Sequence, residues 1–500
     1  MKKRIGSVLL ALALCLSLLP ATALAEGEGD TESGTTKPSA SEQMPRYNGG
    51  SGTESDPWQI SSVKDLQMLA STINKGKAAG FDADCTDTGE GIPGNYHGYY
   101  FKQTADLDLS SIENWDPIGY SGGCYFAGHY DGDGHTITGA KSTGKVDERD
   151  KDDADSYGCA TAGIFGWVAF GSVKNLTVKN ADFLATGNNN FGYAGGVLAV
   201  AYSCTVENCS VYNSKIESRR NPNNSNYAGG ITGIALGSSF EKCASIENTI
   251  RHGSFGGGFI GSLDGEDSNF TNCYVANCIV TGCSDTVSNN TLSGGFLGAS
   301  MGSDAFLEKC FVYDCVAQPD TTSKGEDYFA VFTPNTQYGK VVAKSHVYYY
   351  DANNAKVNDE ELEGAVSKTV NEFADGTVAR LLGDAFAQGK RYPVFATDPA
   401  DYTAVDAAIA EANALNKFDY TDFSAVDSAV NAVVRNKKIA EQAKVDAMAK
   451  AIEDAIAALV KKPSPSSSSS SSSSRPSYPI TTPDKTENGS VNISSTSAKR

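Results

Sequence analysis

The chain has 500 residues, with 60 acidic and 41 basic side chains and a formal net charge of −19. That balance argues against nucleic acid or an anionic membrane surface as a partner, and the length suits about two to four domains. Cysteines number 12, and those beyond the first 25 residues form an odd set spread from Cys85 to Cys315, which speaks against a compact disulfide framework.

Lys2-Lys3-Arg4, the apolar run from Val8 to Leu19 and Ala23-Leu24-Ala25 predict a cleavable signal peptide over residues 1–25. Cys15 follows Leu14, where a lipoprotein signal carries a small residue. No later stretch approaches the roughly 20 apolar residues of a bilayer span, so no transmembrane segment is expected after signal cleavage. Residues 26–50, rich in Gly, Ser, Thr and charge, read as a flexible spacer. Ser62 to Asp65 has the spacing of a capping box, and Leu66, Leu69 and Ile73 follow at helical intervals. A short amphipathic helix is expected there, closing one end of the region that follows.

That region repeats. Gly163-Ile-Phe-Gly166, Gly196-Val-Leu-Ala199, Gly230-Ile-Thr-Gly233, Gly258-Phe-Ile-Gly261 and Gly295-Phe-Leu-Gly298 recur at intervals of 33, 34, 28 and 37 residues. Each copy continues into a short alternating segment, such as Ser172 to Val178 or Cys204 to Val211, bounded by Gly and Asn. Such runs read as strands. A single coil of this length cannot bury its inner face, but stacked coils can, so a parallel β-solenoid is expected over residues 51–400 with caps at its ends. Cys209, Cys243, Cys273 and Cys310 occupy the repeat position held by Leu176 in the first copy, as an inward column of small apolar groups would. Cys278 and Cys315 both lie five residues further on, and stacking brings that pair toward disulfide range. The paired glycines read as turn or close-packing positions, because a phosphate cradle needs a helix after its strand. Glu360 to Gly383 is helical in pattern and is expected at the opposite end.

From Asp401 the composition shifts to Ala, Val, Asp and Lys. Thr403-Ala-Val-Asp406 and Ser424-Ala-Val-Asp427 match helix starts. Val405, Ile409 and Ala412, then Val426, Val430 and Val433, then Val445, Met448, Ile452, Ile456 and Leu459 define three apolar faces, hence an all-α three-helix bundle over residues 401–462. A Ser/Pro-rich linker over residues 463–477 leads to residues 478–500, too short to fold alone.

These motifs carry a family resemblance. Gly52-Thr-Glu-Ser-Asp-Pro-Trp-Gln-Ile60, Phe101 to Leu109, Trp115-Asp-Pro-Ile-Gly119 and Tyr130-Asp-Gly-Asp-Gly-His-Thr-Ile137 occur in an order that resembles the opening of GLUG-repeat bacterial surface proteins. The five glycine motifs are similar to the repeat itself, and Glu372 to Leu382 with Gln388 to Val394 is similar to its closing segment. Tyr402 to Ile409, Tyr420 to Val434 and Glu441 to Met448 resemble a FIVAR module, and Tyr478 to Val491 resembles the first strand of a β-rich repeat. The resemblance implies a right-handed parallel β-helix-like solenoid with a role in attachment at a bacterial surface, and no catalytic residues to transfer.

The residues themselves offer few candidates for chemistry. Asp131, Asp133 and His135 read as a glycine-flanked turn before a strand at Thr136 to Thr138, and Asp106 and Asp108 as a solvated strand face. Arg251-His252 reads as a solvated surface pair. GLUG repeats also precede zinc metalloproteases, but none of His97, His129, His135, His252 and His346 lies in a His-Glu-x-x-His context. Neither a cofactor nor a metal is expected. Asn- and Tyr-bearing segments recur once per coil, and Asn189, Phe191, Tyr193, Asn224 and Tyr227 are the binding candidates, because aromatic faces beside amides suit sugar rings and polar peptide. Turn formation by Asn explains the same pattern. The expected function is that of an exported, non-catalytic adhesin-like protein recognising glycans or host and matrix proteins. A polysaccharide-processing β-helix and a passive surface stalk are the alternatives.

Overall fold

The computed structural model describes residues 47–75, 95–121, 124–144, 159–186, 191–219, 225–283, 291–318, 327–334, 339–350 and 362–463. The predicted signal peptide, most of the 26–50 spacer, nearly all of the serine-rich linker, the terminal fragment, Asn189 and Asn224 lie outside these residues. The chain divides into two compact units, one comprising residues 1–401 with 436–442, the other 402–435 with 443–500.

The first unit is a parallel β-solenoid. One coil shows its plan: Gly192–Gly195, Leu198–Tyr202, Thr205–Glu207, Ser210–Tyr212 and Lys215–Arg219 form five successive sides. Each side stacks in register on its counterparts, so Val206 pairs with Val173 below and Phe240 above, and Val211 with Val178 and Ser245. The third and fourth sides build nine-stranded sheets, the first and fifth six-stranded sheets and the second a five-stranded sheet.

Corners between sides are made by residues in the left-handed region. Asn175, Asn208, Lys242, Asn272 and Lys309 turn the third side into the fourth, and Asn180, Asn213, Glu247, Asn277 and Asp314 turn the fourth into the fifth. Asn tolerates this conformation better than other non-glycine residues. Its amides also bridge coils: Asn208 Nδ2 donates to Asn175 Oδ1 and Asn213 Nδ2 to Asn180 Oδ1, each at 2.8 Å.

Inside, Val173, Val206, Phe240, Phe270 and Leu307 form one buried column, and Leu176, Cys209, Cys243, Cys273 and Cys310 form another. Each burial of a Val, Leu or Phe side chain stabilises by about 1.5–3 kcal/mol. The thiols donate to carbonyls of the preceding coil, as Cys243 Sγ does to Val206 O at 3.4 Å. Burial pushes the Cys209 and Cys273 thiols well up and Cys204 to about 12, so these groups stay protonated and pack as apolar atoms. All ten cysteines among the described residues are free thiols, Cys278 and Cys315 included. Val316 N donates to Cys278 O at 2.9 Å, so this pair is stacked across adjacent parallel coils. Stacked side chains point the same way at a strand spacing of about 4.8 Å, beyond the usual Cβ separation of a disulfide.

The glycine motif has two separate uses. A Cβ on Gly196, Gly230 or Gly258 would collide with the carbonyl of the equivalent glycine in the next coil. A Cβ on Gly233 or Gly261 would meet the backbone of Ala194 or Ala228 on the first side, one coil earlier. The first and second sides therefore approach backbone to backbone, which only Gly and Ala permit.

The predicted helix forms over Val63–Asn74, with Ser62 Oγ accepting from Asp65 N and with Leu66, Leu69, Ala70 and Ile73 entering the main core. The closing segment departs from expectation. Its two short helices, Val370–Ala374 and Thr377–Leu382, and its hairpin, Phe386–Gln388 with Pro393–Phe395, lie on the outer face of the fourth side. Phe373, Val378, Leu382, Phe386 and Phe395 pack there against Tyr274, Phe311, Tyr313 and Tyr348. The fourth side is apolar on both faces in these coils, which is why a flank and not an end receives the segment.

The second unit contains helices Thr403–Ala414, Ser424–Asn431 and Gln442–Ala457, the last beginning one residue before the unit does. Its buried positions are Val405, Ala408, Ala412, Phe423, Val426, Val445, Ala449 and Ile452, so Ala408 takes the place expected of Ile409. Thr403 and Ser424 are the first helical residues, with Tyr402 and Phe423 in the cap positions.

Candidate binding site

Phe191, Tyr193 and Tyr227 do not project from the coils as the sequence suggested. Tyr193 is 2% exposed and Tyr227 1%, and Phe191 is also buried. They stack as a ladder behind the second side: Tyr193 lies 5.2 Å from Tyr227, and Tyr227 5.3 Å from Phe255, at interplanar angles of 21° and 29°. The register that pairs Tyr193 with Tyr227 and Tyr227 with Phe255 makes these rings cross-strand neighbours, and together with Val200, Ile234 and Leu236 they form a second, smaller core.

That core supports an aromatic group that does reach solvent. Trp167 meets Tyr193 edge to face at 6.5 Å and is half-buried. At the corner between second and third sides, Phe170 is 45% exposed and meets Tyr202 at 5.2 Å and 87°, and Tyr125 at 6.3 Å and 72°. Phe170 holds a left-handed backbone, φ 59°. The same corner in later coils is Ser203, Gly237, Gly265 and Gly302, all at positive φ. A bulky side chain in this region is unusual and costs on the order of 1–3 kcal/mol.

Further along the second side, Asp264 occupies the strand end paired with Met301 and is 2% exposed. Its Oδ1 accepts from Gly265 N at 2.8 Å, whereas its Oδ2 has no hydrogen-bond partner. Burial pushes the carboxyl up to about 6, against the pull of the Gly265 N–H. Trp167 Nε1 is likewise buried without a partner. Trp167 and Asp264 lie three strands apart on the second side, Asp264 two residues beyond the register partner of Trp167. Phe170, Tyr202 and the exposed Glu266, whose charge together with burial raises the Tyr202 phenol, flank this strip. Rings beside unpaired donors and acceptors suit ligands with apolar CH faces and hydroxyls.

The other sequence candidates fall elsewhere. Asp131 Oδ1 accepts from Asp133 N at 2.9 Å and from Asn175 Nδ2 at 2.8 Å, and Asp133 and Gly134 take positive φ, which makes this segment a turn. Asp106 Oδ1 accepts from Thr136 N at 2.8 Å and pairs with His135 Nδ1 at 3.2 Å on the surface. Arg251 and His252 are not a solvated pair. His252 is fully buried with Nε2 2.7 Å from Ser293 Oγ, and Arg251 reaches the buried Glu217 at 3.5 Å beside Arg219 at 2.9 Å. The two residues alternate across the fifth side, so one faces in and the other out. Among the described residues no three His, Cys, Asp or Glu side chains converge as a metal site.

Sequence reasoning missed Phe170, Trp167, Tyr202 and Asp264. The signal lay in the repeat itself, where Ala169-Phe170-Gly171 stands in the place of Leu236-Gly237 and Met301-Gly302.

No family model matches the chain. A stretch of 159 residues, 30% of the chain, is 28% identical to halomucin from Haloquadratum walsbyi and spans 1% of that protein. Among solved structures, a protein provisionally named an immunoglobulin A1 protease, from Bacteroides ovatus, aligns over 70% of this chain and 95% of its own, with 18% identity and a TM-score of 0.47. A structure named IgA1 protease aligns over 61% of this chain and 25% of its own, with 13% identity and a TM-score of 0.31.

Proposed function

We propose that this is an exported, non-catalytic binding protein of the GLUG-repeat type, with a FIVAR-like helical module, that attaches to glycans through the aromatic corner around Phe170. The observation that carries this reading is Phe170 itself. Phe170 is both costly in backbone conformation and exposed, at a corner where a glycine would relieve the cost, as it does two coils on at Gly237. Tyr202 and Tyr125 meet its ring, Trp167 packs in the same cluster as both, and the unpaired Trp167 Nε1 and Asp264 Oδ2 provide donor and acceptor sites along the same side. Sugar rings offer an apolar face and hydroxyls that donate and accept, which is the complement of this strip.

The test is a panel of glycans, mucin and matrix proteins presented to the mature chain, scored for retention and for product release from the same wells. Saturable glycan retention that is lost in Phe170→Gly, with no new reducing ends, supports the reading. Product release replaces it with a polysaccharide-processing enzyme, and the absence of both leaves a passive stalk.

A further inference from the structure

Glu217 is a carboxylate on an outer sheet face that solvent barely reaches. It lies on the fifth side between Ile216, which enters the main core, and Ser218, which donates inward to Gly192 O. Alternation therefore points its side chain outward, together with those of Lys215 and Arg219. It is nevertheless 2% exposed. Its Oε1 accepts from Arg219 Nε at 2.9 Å and from Arg251 Nη1 at 3.5 Å, while Oε2 has no hydrogen bond and lies 3.8 Å from Lys215 Nζ. Arg251 comes from the next coil, paired in register with Glu217.

Three cations thus converge on one buried carboxylate. The second acid in the group is Asp182, 3.6 Å from Lys215, so three positive charges stand against two negative ones on a chain whose net charge is −19. Like charges on adjacent strands repel, and Glu217 offsets that by holding the cations together. They still face solvent: the Arg251 side chain is 37% exposed and that of Lys215 50%. Arg251 meets Glu217 through Nη1, and the rest of its N–H fork is available to a ligand. In register beside them stand Thr249, between Lys215 and Ile279, and Thr281, the partner of Arg251. Ile279 is 40% exposed. Ile250 and Val280, which alternate with these residues, lie in the main core, so the cations, both hydroxyls and Ile279 share one outward face.

We infer that this face binds an oxyanion carried on a sugar ring, a uronate carboxylate or a sulfate ester. Arg251 donates to two of its oxygens, and Lys215 faces its charge. Thr249 and Thr281 stand within a strand spacing of these cations to meet ring hydroxyls, and Ile279 offers an apolar surface to the ring. A planar guanidinium held from behind by a carboxylate is pre-oriented for such a paired contact, whereas a neutral sugar gains nothing from the excess positive charge. The sugar source rests on the glycan-binding reading above; the oxyanion chemistry stands on the fifth side alone.

The full chain is titrated with glucuronate, glucose 6-sulfate and glucose by ligand-observed NMR at low ionic strength. Saturable binding of at least one of the two acids, about ten-fold or more tighter than glucose, is expected, and it weakens as added NaCl screens the charges. The tighter of the two names carboxylate or sulfate as the group recognised. Arg251→Gln lowers that affinity about ten-fold, and Arg251→Lys recovers part of it, because the ammonium keeps the charge and loses the fork. Partial recovery separates lost recognition from misfolding. Neutral-glycan retention is unchanged in Arg251→Gln, so this site and the Phe170 corner can fail independently. Equal response to the acids and glucose, no saturable response to either acid, or an affinity indifferent to Arg251→Gln overturns the inference and leaves the Glu217 cluster as an ion network internal to the solenoid.

Discussion

Phe170 and Tyr202 sit one coil apart and meet edge to face at 5.2 Å, yet only Phe170 occupies the corner position that later coils fill with Ser203, Gly237, Gly265 and Gly302. Ring contact and backbone cost come from the same residue, so stability and binding should separate there. Phe170→Gly is expected to raise unfolding stability by about 1 kcal/mol, through relief of the left-handed backbone, while abolishing glycan retention. Urea unfolding read beside the glycan panel checks both. A variant that is destabilised and still binds would remove Phe170 from the site.

Gly230 is the reverse case. A methyl group there meets the Ser245 side chain and the Gly258 carbonyl, and backbone on that side cannot move without separating two coils. Gly230→Ala is expected to cost more than about 3 kcal/mol and to lower the cooperativity of unfolding, as overpacking of a rigid contact does. Gly134→Ala, at a position where a Cβ meets nothing within 4 Å, carries only the cost of its φ of 80° and should lose about 1 kcal/mol.

Two buried groups give opposite pH dependence. His252 is held neutral by burial, with its pKa lowered to about 3 against an ordinary 6.5. As pH falls through that window the unfolded chain takes up a proton that the folded chain refuses, so stability drops by up to about 1.4 kcal/mol per pH unit. Asp264, raised to about 6 from 3.8, binds its proton more readily when folded, and its contribution is present below pH 3.8 and lost as pH rises through 6. Asp264→Asn is therefore expected to stabilise the protein at pH 7 by up to about 3 kcal/mol and to leave it unchanged at pH 3.5. Denaturant midpoints at the two pH values test this, and an equal gain at both would rule out titration as the cause.

Cys278 and Cys315 are expected to remain thiols after purification without reductant. The intact mass should show no loss of two hydrogens, and alkylation should reach Cys315, which is half-buried, before Cys278, which is fully buried. A peptide pair linked through these two residues would show that adjacent coils close more tightly there than the strand spacing of about 4.8 Å.

Much of the solenoid was readable because its repeat writes each inward column several times over. Cys209, Cys243, Cys273 and Cys310 fall at one position in four copies, and the structure places all four in the core. The asparagine corners follow for the same reason. Tyr193 and Tyr227 were misread because alternation tells inside from outside only for a strand with one wet face, and the first side has a core on each face. Tyr274-Val275-Ala276 and Phe311-Val312-Tyr313 are apolar at every position, which marked the flank that the closing segment covers. Phe170 stood out only against its own counterparts, since a phenylalanine before a glycine is unremarkable alone.

The closing segment rests on strands from Ala244 to Tyr348 of the fourth side and also meets Tyr212 in the coil before. Loss or duplication of the coil that begins at Gly163 would change the protein's reach by one strand spacing, about 4.8 Å, and leave this seal intact. Loss of a coil between Ala244 and Tyr348 would strip the seal of its seat. Length variation among descendants of this chain is therefore confined by its own architecture to the half that bears Phe170.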